Sequence, residues 1–121
     1  MPSLLIVDDS RVSRMMIRTR IEAAHPDWQC AEAATGDEAV ALVAKAPPDY
    51  VTMDVNMPGL NGFDAADQIR RTAPSVKVVM LTANIQESSH AKAHDLGVQF
   101  VQKPITDACI RQVLGFFTAQ P

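Results

Sequence analysis

The chain is poor in cysteine, has no surplus of positive charge and lacks any long apolar run, and each shortage removes a class of function. Its two cysteines, Cys30 and Cys109, stand far apart without CxxC spacing, so two buried thiols are expected rather than a disulfide framework. Eleven Lys and Arg against fourteen Asp and Glu give a formal net charge of -3. No long run of either sign supplies the basic footprint of a nucleic-acid binder, and direct nucleic-acid binding is not expected. The start, Met1-Pro-Ser-Leu-Leu-Ile-Val, runs straight into Asp8-Asp9 without a signal peptide's basic head and longer apolar core. No segment has the length to span a bilayer, so the reading is a cytoplasmic protein without membrane insertion. There is no repeat, low-complexity tract or linker, and 121 residues suit one domain over 1–121, with no room for an output domain.

What is present is a strict alternation of two periodicities. Leu4-Leu-Ile-Val7 is an uninterrupted apolar run stopped by Asp8-Asp-Ser, the pattern of a strand buried on both faces. Ser10 then caps a helix whose Val12, Met16, Ile17, Ile21 and Ala24 are apolar while Arg11, Arg14 and Arg18 gather elsewhere, and His25-Pro26-Asp27 ends it. A weak strand over 28–33, a helix over 37–46 closed by Pro47-Pro48, and a strand over 50–54 repeat the unit. The turn-rich stretch from Met57 to Gly62 precedes an Asn61-started helix reaching about Thr72, and 76–82 is a strongly β-branched strand. A fourth helix is expected over 86–96 with Gly97 as its stop, then a short strand over 98–102. The last helix places Ile110, Val113, Leu114 and Phe117 at i, i+3, i+4 and i+7. Five strand–helix pairs predict an α/β, flavodoxin-like three-layer sandwich, a (βα)5 chain with a parallel sheet of order 2-1-3-4-5.

In such a sheet, ligands bind at the carboxyl ends of the strands, near the point where strand order reverses. The first strand ends in Asp8 and Asp9, the third in Asp54, the fourth in Thr82, and the fifth is followed by Lys103, so five polar groups converge on one edge. Three close carboxylates repel one another unless a cation or a proton compensates them. Hard oxygen donors in an open acidic site suit Mg2+. Lys103 can pair with a carboxylate at rest and with a phosphoryl oxygen later, Thr82 can donate to another such oxygen, and Asp54 is the central nucleophile candidate.

The order Asp8-Asp9, Met53-Asp-Val-Asn-Met-Pro-Gly-Leu-Asn-Gly62, Leu81-Thr-Ala83 and Lys103-Pro104 resembles response-regulator receiver domains over the whole chain. The resemblance implies that Asp54 is the phosphoacceptor, that Asp9 and Asp54 bind Mg2+ together with the backbone carbonyl of Asn56, and that Asp8 assists through water. Thr82 and Lys103 match the family's phosphate-contacting pair, and the bond before Pro104 is often cis. The implied donor is a phosphohistidine on a sensor histidine kinase or phosphotransfer protein. The receiver itself catalyses the transfer and a slow autodephosphorylation, so it is a regulatory phosphoacceptor rather than an enzyme. Phosphorylation is expected to redistribute two conformations read by a downstream target or phosphatase at the face of the fourth helix, fifth strand and last helix. The protein would be a monomer or a phosphorylation-dependent dimer, stand-alone in the manner of the chemotaxis type. Phe100, where the family often has a tyrosine, is expected to switch by packing alone, and Asn56 and Asn84 to tune the lifetime of the phosphorylated state.

Other readings are weaker. A haloacid-dehalogenase-type hydrolase needs a second Asp where this chain has Asn56, and a phosphorylation-independent binding module does not need the full set Asp8, Asp9, Asp54, Thr82 and Lys103. A receiver cut from a longer protein fits the same residues. His90 and His94, four apart, lack a third ligand. Met15-Met16, Trp28 and Phe116-Phe117 are expected to serve packing.

Overall fold

The apolar run near the start becomes the centre of the molecule because it can be covered on both sides. In the computed structural model, which describes residues 2–55, 57, 59, 61–83 and 98–118, β1 (Ser3–Val7) has Leu4 and Ile6 facing one layer and Leu5 and Val7 facing the other. The chain continues through α1 (Arg11–Ala24), β2 (Gln29–Ala33), α2 (Gly36–Lys45), β3 (Tyr50–Asp54), α3 (Gly62–Thr72), β4 (Lys77–Thr82), β5 (Gln99–Gln102) and α4 (Asp107–Thr118). All strand pairs are parallel and the order is β2-β1-β3-β4-β5. The helix expected over 86–96, with His90, His94 and Asn84, lies outside the described residues, as does Asn56.

Two cores follow from the alternation of side chains along each strand. Leu5, Val7, Val51, Met53 and Met80 meet Ala39 and Val43 of α2 and Ala65, Ala66 and Ile69 of α3. On the opposite face Leu4, Ile6, Val79, Leu81 and Val101 meet Ile17 and Ile21 of α1 and Ile110, Val113 and Phe117 of α4. Each fully buried aliphatic side chain of this kind contributes about 1.5–3 kcal/mol relative to exposure. At the amino-terminal end of the sheet, His25 stacks on Trp28 (4.3 Å), Trp28 meets Tyr50 (5.0 Å) and Tyr50 stacks on Phe117 (4.6 Å), closing that edge with rings.

Helix starts follow their caps. Ser10 Oγ accepts from Ser13 N (3.2 Å), Thr35 Oγ1 from Glu38 N (3.1 Å) and Asn61 Oδ1 from Asp64 N (3.0 Å). Thr35 at the cap sets α2 one residue earlier than expected from the sequence. Not every apolar residue on the helices is covered. Val12, Met15 and Phe116 are 65%, 56% and 36% exposed, and Ala24 is exposed as well; for Met15 and Phe116 this is contrary to the packing roles expected of them. The buried stripe of α1 is Ile17 and Ile21. Cys109 is buried but Cys30 only partly so, and both are free thiols. No helix among the described residues is long and apolar enough to cross a membrane.

One polar atom is out of keeping with this interior. Thr52, between Ile6 and Val79 in the ladder, is 1% exposed, and its Oγ1 has no hydrogen-bond partner among the described residues. A buried hydroxyl without a partner costs about 1–3 kcal/mol, while a methyl of the same shape carries no such cost. Thr52→Val is therefore expected to raise the free energy of unfolding by about 1 kcal/mol, read from urea melts. Unchanged or reduced stability would mean that the hydroxyl is hydrogen-bonded in solution.

Candidate functional site

Strand order reverses between β1 and β3, and the carboxyl ends of these two strands and of β4 and β5 carry the polar groups. Asp8, directly after β1, is 1% exposed; Asp54, the last residue of β3, is 6% exposed; Thr82, the last of β4, is 2% exposed. Asp9 is exposed. One carboxylate oxygen from each of Asp8, Asp9 and Asp54 lies within 4.8 Å of the others. Lys103 Nζ bonds Asp8 Oδ2 at 3.0 Å and pairs with Asp54 Oδ1 at 3.4 Å. Asp8, Asp9, Asp54 and Lys103 therefore meet at one place, and Thr82 ends the neighbouring strand, where its carbonyl accepts from Lys103 N. Phe100 is half-buried on β5 and packs against Phe63 of α3, with ring centroids 6.2 Å apart.

The electrostatics are those of a crowded acid site. Burial pushes the Asp54 carboxyl above its ordinary value, the Asp8 charge adds to the shift, and Lys103 opposes it. Burial alone would lower the Lys103 ammonium. The hydrogen bond and charge of Asp8, with the charge of Asp54, outweigh burial and raise it, so the lysine is fully charged at neutral pH. Three carboxylates against one ammonium leave uncompensated negative charge in a hard-oxygen donor set, which fits a small divalent cation such as Mg2+.

Backbone contacts make this arrangement stiff. Lys103 N donates to Thr82 O at 2.7 Å and Val55 N to Leu81 O at 3.1 Å, tying the end of β5 to β4 and the end of β3 to β4. The Lys103–Pro104 bond is cis. Gly62 N donates to Val55 O at 3.1 Å, and a Cβ at Gly62 would overlap the Asp54 carbonyl oxygen and lie 2.9 Å from Val55 Cα. Only glycine lets α3 begin so close to the backbone of Asp54.

Sequence reasoning missed the support behind the acids. Arg14, read as part of a separate arginine face, has Nη1 donating to the Asp8 carbonyl (2.7 Å) and Nε to Glu32 Oε1 (3.0 Å). The signal was a glutamate inside a weak strand, opposite two arginines one helical turn apart.

A doubly wound parallel sheet whose carboxyl edge gathers buried acids, a lysine and a threonine is the build of a regulatory signalling domain with an acidic, Mg2+-type pocket. Residues 4–115 match the family model described as response regulator receiver domain, and the chain belongs to that family. The chemotaxis protein CheY of Thermotoga maritima is 35% identical over 113 residues, covering 93% of this chain and 93% of that protein. The protein-glutamate methylesterase/protein-glutamine glutaminase of Pyrococcus abyssi is 39% identical over 110 residues, which is 88% of this chain and 30% of the relative. The chain thus spans under a third of the length of that methylesterase. The solved structure of Vibrio cholerae CheY4 superposes with a TM-score of 0.85 at 28% identity, covering 94% of this chain and 96% of that one.

Charge crowding has a stability signature. A carboxyl whose value is raised on folding favours the fold when protonated, so this contribution is present at low pH and is lost as pH rises through the raised Asp54 value. Asp54→Asn is therefore expected to melt above wild type at pH 7 in EDTA, with the gap narrowing in acid and on adding Mg2+. Equal melting temperatures at pH 7 would show that the site carries no net repulsion.

Proposed function

We propose that Asp54 accepts a phosphoryl group and that its phosphorylation switches the binding of a partner protein. The observation that carries this reading is the Asp54 carboxylate, buried at the sheet edge, within ion-pair reach of Lys103 and beside Asp8 and Asp9. An Asp54 oxygen attacks phosphorus in line, and the P–N bond of a phosphohistidine on a sensor kinase or phosphotransfer protein breaks. Its electron pair returns to the imidazole nitrogen, which takes up a proton from solvent. Lys103 and Thr82 hold two oxygens of the transferring group, and the charge of Lys103 offsets the charge gathered there. Asp8, Asp9, Asp54 and, by family likeness, the Asn56 carbonyl hold Mg2+, which when bound supplies further charge neutralisation. In hydrolysis a water oxygen bonds to phosphorus as the bond from phosphorus to the Asp54 oxygen breaks, inorganic phosphate leaves and the carboxylate is restored, with Asn56 and Asn84 setting how readily water arrives.

The exposed Val12 and Met15, on the first turns of α1 just after Asp9, give a protein donor an apolar foothold beside the acceptor. On the output side, engagement of Thr82 by phosphate changes the space open to Phe100, whose ring moves by packing against Phe63 rather than by a hydroxyl bond. β5 and α4 present the face that a target reads, and the helix expected over 86–96, read as part of that face from the sequence, lies outside the described residues.

Incubation with acetyl phosphate and Mg2+ is expected to add one phosphoryl group by intact-protein mass, with no gain for Asp54→Asn or in EDTA. Lys103→Ala is expected to slow the gain by a factor on the order of a hundred or more. Folded wild-type protein that gains no mass would favour a phosphorylation-independent binding module.

A further inference from the structure

We propose that Arg14 is a positioning residue for the cation pocket, acting as a clamp that aims the Asp8–Asp9 peptide; this rests on the reading of that pocket as a divalent-cation site. The β1–α1 turn lies beyond the end of the strand, where the sheet ladder no longer offers a donor to the Asp8 carbonyl. Arg14 supplies it. Its side chain is 15% exposed, and the guanidinium donates to Asp8 O at 2.7 Å and is held from behind by Glu32 on β2 at 3.0 Å. Every other polar atom of Asp8 is also partnered: its N donates to Ala33 O (3.1 Å), Oδ1 accepts from Ser10 N (2.9 Å) and Oδ2 from Lys103 (3.0 Å). Asp9 is in the opposite position. Its exposed carboxylate makes no hydrogen bond or ion pair among the described residues, so its direction depends on the peptide plane that joins it to Asp8. The oxygen of that peptide is the atom Arg14 holds.

A cation near three acids would ordinarily compete with Mg2+. If charge alone mattered, removing Arg14 would tighten Mg2+ binding and removing Glu32 would weaken it. The clamp predicts the same direction for both, since each loss frees the Asp8 carbonyl to turn. Arg18 separates the two further. It pairs with Glu32 Oε2 at 2.9 Å and carries the same charge, but among the described residues it bonds Glu32 and Glu22 and not Asp8.

Calorimetric titration of the full chain with MgCl2 tests this without reference to phosphorylation. Loss of a hydrogen-bonded support behind metal ligands weakens affinity by about tenfold or more, and that is expected for Arg14→Met. Arg14→Lys, which keeps the charge but cannot bridge two acceptors, is expected to be weakened as well. Glu32→Ala is weakened in the same direction, the Arg14→Met/Glu32→Ala double variant is no weaker than Arg14→Met alone, and Arg18→Met stays near wild type. Thermal melts in EDTA accompany each titration, and should Arg14→Met fail to fold, Arg14→Lys and Glu32→Ala carry the comparison. Mg2+ binding by Arg14→Met as tight as wild type or tighter, or an equal loss in Arg18→Met, overturns the clamp while leaving the pocket intact. A wild-type chain that takes up no Mg2+ overturns the pocket itself.

Discussion

Three carboxylates share one ammonium at the carboxyl edge of the sheet, and the rest of the structure is arranged around that imbalance. Asp8 and Asp54 are buried and Lys103 reaches both, which is enough to keep the resting site folded but not enough to neutralise it. Desolvation works against the ionised Asp54, so the site gains from anything that brings positive charge or removes negative charge. The proposed cation site and the proposed phosphoacceptor role of Asp54 both draw on this crowding.

Such a site needs a stiff frame, because acids free to move apart would simply relax into solvent. The frame is the doubly covered parallel sheet, whose apolar strands bury side chains on both faces and end together. Local devices then fix the ends: Gly62 lets α3 start against the Asp54 backbone, and Arg14, braced by Glu32, holds the carbonyl that precedes Asp9. Both act on main-chain atoms of the site, Gly62 at Asp54 and Arg14 at Asp8, rather than on its carboxylates.

The same frame links the site to the surface. Lys103 N is bonded to Thr82 O, so the two candidate phosphate-binding side chains sit on strand ends that move as one. Phe100 lies on β5 three residues before Lys103, paired with Met80 in the ladder and packed on Phe63. Thr82 and Phe100 thus lie on adjacent paired strands, the arrangement on which the proposed packing switch rests.

Much of this was legible in the amino-acid sequence. Runs such as Leu4–Val7 and Val78–Leu81 identify strands covered on both sides, and their alternation with capped amphipathic helices determines the parallel sheet and its order, because crossovers of one hand leave few other solutions. The spacing of Asp8, Asp9, Asp54, Thr82 and Lys103 at strand ends then assigns them to one edge of the sheet. Tertiary structure decided what periodicity cannot encode: that Val12 and Met15 lie uncovered while Ile17 and Ile21 are buried, since this depends on where α1 rests on the sheet. It also decided that Arg14 turns inward to a main-chain oxygen, a partner that no residue pattern names because every residue carries one.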